Sequence, residues 1–368
     1  MKQNQRERVS REAASKAGKC LKTSKGNDEQ ALATAQAWRV QHLEPTARCF
    51  EALARCAAQF EGAVVSYRLK RMTSILKKLL RLNSNFKLGT LDDIGGCRLI
   101  VSSVDEVYRA VAVLNEELGE WKAKDYISRP QSSGYRSYHA IYQIPEGGIS
   151  YRIEVQIRTH LQHLWATGVE AVGEVYGVEY KSPDVQESLE RESLERQRFL
   201  ALSSHLFALE EGTPGVPNVC EDVSVVCREI DEICGSTMLL QELAAARSGI
   251  VVSTDADEHD EYFLLCLIRD LQFFDIVGFP GFSEANEEYQ RLEREVLTAG
   301  DQERLLVAEP KFDNVVLVKA GSAELIRQSY LNYSLGVGQF IDRIERLLPG
   351  HSYGQKRGSL DADERGAR

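Results

Sequence analysis

The amino-acid sequence predicts an α/β (α+β) protein. It reads as a mixed sheet flanked by helices, then a helical connector and a small C-terminal α+β domain. Three observations predict this. Tyr151–Thr159 reads YRIEVQIRT, in which Tyr151, Ile153, Val155 and Ile157 alternate with Arg152, Glu154, Gln156 and Arg158. That is the period of a strand with one face on a core. Amphipathic helical patterns alternate with β-rich runs before it, and YFLLCLI, FFDIVGF and NVVLVKA recur between helical stretches near the C-terminus. At 368 residues the chain has length for about two domains.

A hydrophobic content of 43% and a charged content of 27% are those of an ordinary globular protein. No apolar run approaches the ~18 residues of a membrane span. The basic N-terminus has no apolar stretch behind it, as a secretory signal requires. Both point to a cytoplasmic protein without a membrane partner. The eight cysteines form no CxxC pair, which argues against a zinc ribbon or a redox motif. Cys220, Cys227 and Cys234 recur every seven residues among Val223, Val226, Ile230 and Ile233, a buried helical stripe of reduced thiols. Charge is uneven: residues 1–180 carry a net +6 and residues 181–368 a net −16.

In chain order, residues 1–27 hold a surplus of Lys and Arg without periodicity and read as a basic mobile tail with a weak attraction for nucleic acid. A helix is expected from Asp28 to about His42. A second, with Pro45 in its first turn, carries Phe50, Leu53 and Phe60. Val65, Leu69, Met72, Leu76 and Leu79 then recur at four-three spacing, which predicts a helix. Lys70, Ser74, Lys77, Lys78 and Arg81 lie opposite that stripe, flanked by Arg68 and Arg71. A solvated face is the plainer reading, but the cluster has no acidic i±4 partner and a polyphosphate would neutralise it.

LDDIGGCRLIV (91–101) gives a two-glycine turn entering a strand, with Asp92 or Asp93 at its mouth, where a carboxylate can reach a phosphate-bound magnesium ion. Ser103 and Glu106 suit a capping box for a helix over Val104–Leu118. WKAKDYI leads into the loop SRPQSSG, and then Tyr138, Ala140, Tyr142 and Ile144 alternate with His139 and Gln143 as a strand. The Pro145–Gly148 connection makes this strand the antiparallel neighbour of 151–159, so His139 and Glu154 face one cleft. His160 and His163 have metal-ligand spacing but no third ligand beside them.

These residues resemble a known family. R-x-K-x-x-x-S-x-x-x-K (Arg68, Lys70, Ser74, Lys78), D-x-x-G-x-R (Asp93, Gly96, Arg98), KDYI (Lys124–Ile127), GYRSxH (Gly134–His139) and EVQIRT (Glu154–Thr159) stand in the order and approximate spacing of RelA/SpoT-type alarmone synthetases. The likeness covers roughly residues 60–180. It implies a nucleotidyltransferase-like core and a Mg²⁺-dependent pyrophosphokinase. Such an enzyme moves the β,γ-pyrophosphate of ATP to the 3′-hydroxyl of GDP or GTP, making (p)ppGpp. Carried over by motif, Arg68, Lys70, Ser74, Lys78 and Arg98 would bind ATP. Asp93 and Glu154 would hold Mg²⁺, and Glu154 would also draw the proton from the attacking hydroxyl. Tyr135 would stack on the acceptor base, with Lys124, His139, Gln156 and Arg158 completing the acceptor site.

Where the family pattern is PKxNGY, this chain has Gln131 for the lysine and Ser133 for the asparagine. That departure bears on the acceptor and leaves open the toxic members' chemistry, pyrophosphorylation of the tRNA 3′ end or synthesis of adenosine alarmones. His259-Asp260 is a lone HD pair in an acidic loop, so the expectation is a synthetase without the family's hydrolase. The expected organisation is 1–27 tail, 28–180 synthetase domain, 181–250 helical connector, 251–349 accessory domain and 350–368 flexible tail. The acidic second half would compete with polyphosphate for the cationic face. A homo-oligomer is left open.

Overall fold

The computed structural model describes residues 8–81, 85–178, 180, 191–246, 251–268, 273–302, 314–322, 325–326 and 335–348. Its strands are β1 (Val64–Leu69), β2 (Gly95–Val101), β3 (Glu120–Asp125), β4 (Tyr138–Glu146), β5 (Ile149–Thr159), β6 (Val251–Asp255), β7 (Tyr262–Ile268), β8 (Phe273–Phe279) and β9 (Asn314–Lys319). They make one nine-stranded sheet in the order β3-β4-β5-β2-β1-β9-β7-β8-β6. The pairs β2–β5 and β6–β8 are parallel and the others antiparallel. The sheet is therefore mixed, as predicted. β4 and β5 form the expected hairpin, turning through Gly147 and Gly148, both at positive φ as a two-residue connection requires.

The parallel pair needs a crossover, and α5 (Val104–Leu118) begins it. Ser103 caps that helix by accepting from the Glu106 N–H, while the Glu106 carboxylate reaches back to the Ser102 N–H at 2.8 Å. The buried side chains of α5 and α3 (Leu43–Ala57) join Tyr151, Ile153, Val155 and Ile157 in the main core. Polar Arg152, Glu154 and Gln156 thus point away from it. On that side α6 (His160–Tyr176) opens with a complete capping box, Thr159 and Gln162. It packs with α7 (Arg191–Glu210), α8 (Val223–Thr237), α9 (Leu239–Ala246) and α11 (Leu335–Leu347) around a second core that includes Trp165, Phe199, Phe207 and Phe340.

Several expectations change. Residues 11–23, expected within a mobile tail, form helix α1, which buries Ala14, Ala17, Gly18 and Leu21. It lies so close to the Leu88–Thr90 turn that a Cβ on Gly89 would sit 2.1 Å from the Arg11 carbonyl oxygen. Helix α2 (Glu29–Val40) follows as expected. The helix expected from Val65 is a strand as far as Leu69, and only Met72–Leu80 is helical (α4). In β1 the residues Val64, Val65, Ser66, Tyr67 and Leu69 are all buried, because both faces are covered and alternation disappears. The cysteine stripe is only part of a core: Cys234 is buried, Cys227 half-buried, and Cys220 exposed ahead of α8.

The C-terminal strands do not form a sheet of their own. β9 pairs with β1, and Val65 lies opposite Lys319. Helix α10 (Phe282–Gln302) enters the main core, where Phe282 stacks on Phe50 and Tyr289 meets Tyr67 edge-on at 4.8 Å. Arg39 of α2 and Glu293 of α10 form a buried ion pair at 2.8 Å. Residues 181–190 of the expected connector and the expected tail 350–368 lie outside the described residues.

Candidate active site

The register puts the motif residues in rows on the sheet face away from the main core. Gly96 of β2 lies between Arg68 of β1 and Glu154 of β5. One step along, Arg98 pairs with Gln156, Gln156 with His139 of β4, and His139 with Lys124 of β3. Five motifs far apart in sequence thereby meet across five strands. Arg68 and Lys124 are exposed and Arg98 is half-buried.

Two clusters occupy this face. In the first, Asp93, in the turn before β2, receives Lys70 Nζ at 3.0 Å and Lys78 Nζ at 2.7 Å, both on Oδ2. Its Oδ1 is buried and accepts no hydrogen bond among the described residues. Lys78 comes from α4, and Ser74 is in the first turn of that helix. Asp92 is engaged elsewhere, by Arg152 at 3.0 Å and Lys122 at 3.4 Å, with the Arg152 guanidinium over Trp121.

The second cluster is a hydrogen-bonded chain. His139 Nδ1 donates to Glu154 Oε1 at 3.1 Å, its Nε2 stands 2.7 Å from the Tyr135 hydroxyl, and Gln156 Nε2 donates to Glu154 Oε2 at 2.9 Å. Burial works against the charge of His139, but the Tyr135 oxygen and the Glu154 carboxylate raise its pKa to about 9. Burial likewise pushes Glu154 up, and the hydrogen bonds from His139 and Gln156 and the Lys78 charge outweigh it, bringing the pKa to about 2. The pair is ionised at neutral pH. Lys78 links the clusters, since it bonds Asp93 and its charge also reaches Glu154.

Arg158 is buried at 2% exposure and donates to His163 Nδ1 of α6 at 2.6 Å. Sequence reasoning assigned no role to Tyr126, whose ring stands edge-on to both Tyr135 and His139. Nor did it assign one to Arg136, buried at 1% exposure. Both lie inside quoted motifs, which was the available signal. Among the described residues no group of three or more His, Cys, Asp or Glu side chains is arranged to hold a metal ion, so His160 and His163 gain no third ligand. A cavity of about 700 Å³ opens at the far end of the parallel pair, lined by Ser103, His160, His163, Thr167, Glu211 and Arg343 among others. It lies about 25 Å along β2 from Asp93, taking some eight residues of strand rise, and contains none of the clustered residues.

A carboxylate–lysine cluster beside an ionised His–Glu pair on a mixed α/β sheet defines a site suited to polyphosphate chemistry. Residues 67–182 match the family profile described as a region found in RelA / SpoT proteins. This segment is similar to the RelA/SpoT region over about a third of the chain. The chain is 36% identical over 110 residues to the GTP pyrophosphokinase YwaC of Bacillus subtilis, covering 27% of this chain and 52% of that protein. To YjbM, the GTP pyrophosphokinase of the same organism, it is 33% identical over 110 residues, covering 28% and 52%. To the probable chloroplastic GTP diphosphokinase RSH3 of Arabidopsis thaliana it is 39% identical over 105 residues, covering 28% and 14%. The chain thus spans about half the length, or less, of these relatives. The crystal structure of small alarmone synthetase 1 from Bacillus subtilis bound to pppGpp is similar over 47% of this chain and 78% of that one, at 24% identity and a TM-score of 0.31. Among the described residues no helix is long and apolar enough to cross a membrane.

Proposed function

We propose that the chain is an ATP-dependent pyrophosphokinase that transfers the β,γ-pyrophosphate of ATP to the 3′-hydroxyl of GDP or GTP in the cytoplasm. The observation that carries this reading is the adjacency of the two clusters, joined by Lys78. Arg68, Lys70, Ser74, Lys78 and Arg98 bind the ATP phosphates. Asp93 and Glu154 would hold Mg²⁺. The fit rests on Asp93 Oδ1, a buried carboxylate oxygen with no hydrogen-bond partner among the described residues, and on Glu154, which is ionised at neutral pH. When bound, the ion neutralises charge building up on the transferred group.

The residues supply position and field. Phosphate oxygens compete with Asp93 for Lys70 and Lys78, and the Asp93 carboxylate so released would be available to hold the metal. Glu154, with a pKa near 2, is a weak base and a permanent hydrogen-bond acceptor, which orients the attacking hydroxyl. That suits a loose transition state, in which the nucleophile's proton need not leave early. Tyr135 offers its face to the acceptor base, and Lys124, His139, Gln156 and Arg158 complete the acceptor side.

The loop before Tyr135 favours weighing a second acceptor class, because Gln131 and Ser133 supply no cation for a free nucleotide's phosphates. Incubating the purified protein with γ-labelled ATP and GDP, GTP, ADP or tRNA separates the readings. Label on GDP or GTP is expected. Label on tRNA or ADP alone replaces the acceptor and keeps the reaction, whereas no labelled acceptor overturns the proposal.

A further inference from the structure

Tyr135 sits between two residues that are each pinned to α7, outside the segment the family profile matches. On one side Gly134 has φ +92, and its carbonyl oxygen accepts from Ser204 Oγ at 2.5 Å. A Cβ there would lie 2.9 Å from both Ser204 Cβ and Trp165 Cζ2, so the loop is pressed against α6 and α7. On the other side Arg136 donates from Nε to Ser204 Oγ at 3.2 Å and from a terminal nitrogen to Glu211 Oε2 at 2.5 Å and Thr213 Oγ1 at 3.2 Å.

Glu211, just beyond α7, does more than neutralise Arg136. It also accepts from the Thr159 hydroxyl and from Gln162 Nε2 at 3.1 Å. Thr159 is the last residue of β5, the strand that carries Glu154 and Gln156. One half-buried carboxylate therefore ties the Tyr135 loop to the end of the strand bearing the Glu154 chain. Burial opposes the Arg136 charge, and Glu211 is the only opposing carboxylate that bonds it among the described residues. Glu210 next to it pairs instead with Arg343.

We propose that Glu211 is a positioning residue for acceptor binding: through Arg136 and Thr159 it fixes the Tyr135 ring relative to Glu154. The inference rests on the proposed pyrophosphokinase reading for what the ring binds, but not for the ring's placement. An uncompensated Arg136 is drawn toward water, and Tyr135, its chain neighbour, moves with it. Among the described residues the Asp93–Lys70–Lys78 cluster shares no hydrogen bond or ion pair with Glu211, and it keeps its geometry.

The test uses the full chain with 3-fluorotyrosine at position 135. Fluorine NMR reads the ring's placement whether or not pyrophosphate is transferred. Glu211→Gln should shift or split the single parent resonance, and Glu210→Gln should leave it unchanged. In steady-state assays Glu211→Gln should raise the acceptor KM tenfold or more with the ATP KM within twofold. Glu211→Asp keeps the charge, withdraws it by one methylene and should give an intermediate shift; it serves as the variant if Glu211→Gln fails to fold. An unmoved resonance in a folded Glu211 variant overturns the proposal, as does an equal loss for both substrates. A moved resonance in a chain whose parent transfers nothing keeps the positioning role and rejects the pyrophosphokinase reading.

Discussion

Glu154 and His139 show how two half-buried groups keep each other charged. Burial alone would neutralise both, yet the hydrogen bonds between them and to Tyr135 and Gln156 reverse the sign. The raised His139 value means that its contribution to stability is complete below the ~6.5 of free imidazole and is lost as pH rises through about 9. The depressed Glu154 value means that its contribution is present above the ordinary 4.5 and is lost as pH falls through about 2. The window in which both act is about pH 4.5–6.5. Replacing His139 with Gln should therefore lower stability most within that window, with the gap to the parent narrowing as pH rises toward 9 and beyond. Denaturant unfolding without added metal, from pH 5 to 10, checks this. A gap that does not change with pH would mean that His139 is neutral in the fold.

At the scale of single elements, α10 is the least expected contributor to the main core. The Tyr289 hydroxyl accepts from the Leu69 N–H at 3.0 Å, bonding the last residue of β1 where the ladder leaves its donor free. Tyr289→Phe should cost about 1–3 kcal/mol by leaving that buried donor unpaired, and Tyr289→Ala about 3–5 kcal/mol. Urea melts of both variants measure it, and a loss under 1 kcal/mol in each would separate α10 from the core. Neighbouring elements show what was legible. The strict alternation of Tyr151–Ile157 set the core face of β5 correctly, because one side of the strand is apolar and the other polar. Val65–Leu79 misled because a strand covered on both faces loses its alternation, and its apolar residues ran by accident into a helical spacing across Lys70–Arg71. Helix α1 was hidden by its lysines and arginines, although Ala14, Ala17, Gly18 and Leu21 carry a helical stripe.

At the scale of the whole molecule, the nine described strands make one sheet, so the segment beyond residue 250 is an integral part of the fold. The pairing of β9 with β1 joins residues some 250 positions apart, and no local pattern announces such contacts. The motif residues were legible because short ordered spacings recorded them. The α10 contacts place that acidic helix on the core side of β1, with Tyr67, and away from Arg68. Competition between α10 and polyphosphate therefore has no structural support. A chain ended near residue 194 should lose β9 and α10, expose the edge of β1, and aggregate or melt at least 10 °C lower. Equal or higher activity in a folded truncation would contradict this. The central claim is that Asp93 and Glu154 serve one transfer reaction through their charge. Its most direct test is transfer of labelled pyrophosphate from ATP to GDP, with Mg²⁺, by the parent chain and by Asp93→Asn and Glu154→Gln. The account predicts labelled product from the parent and a loss of at least a hundredfold in each variant, with both variants folded. Near-parental turnover in either folded variant would contradict it.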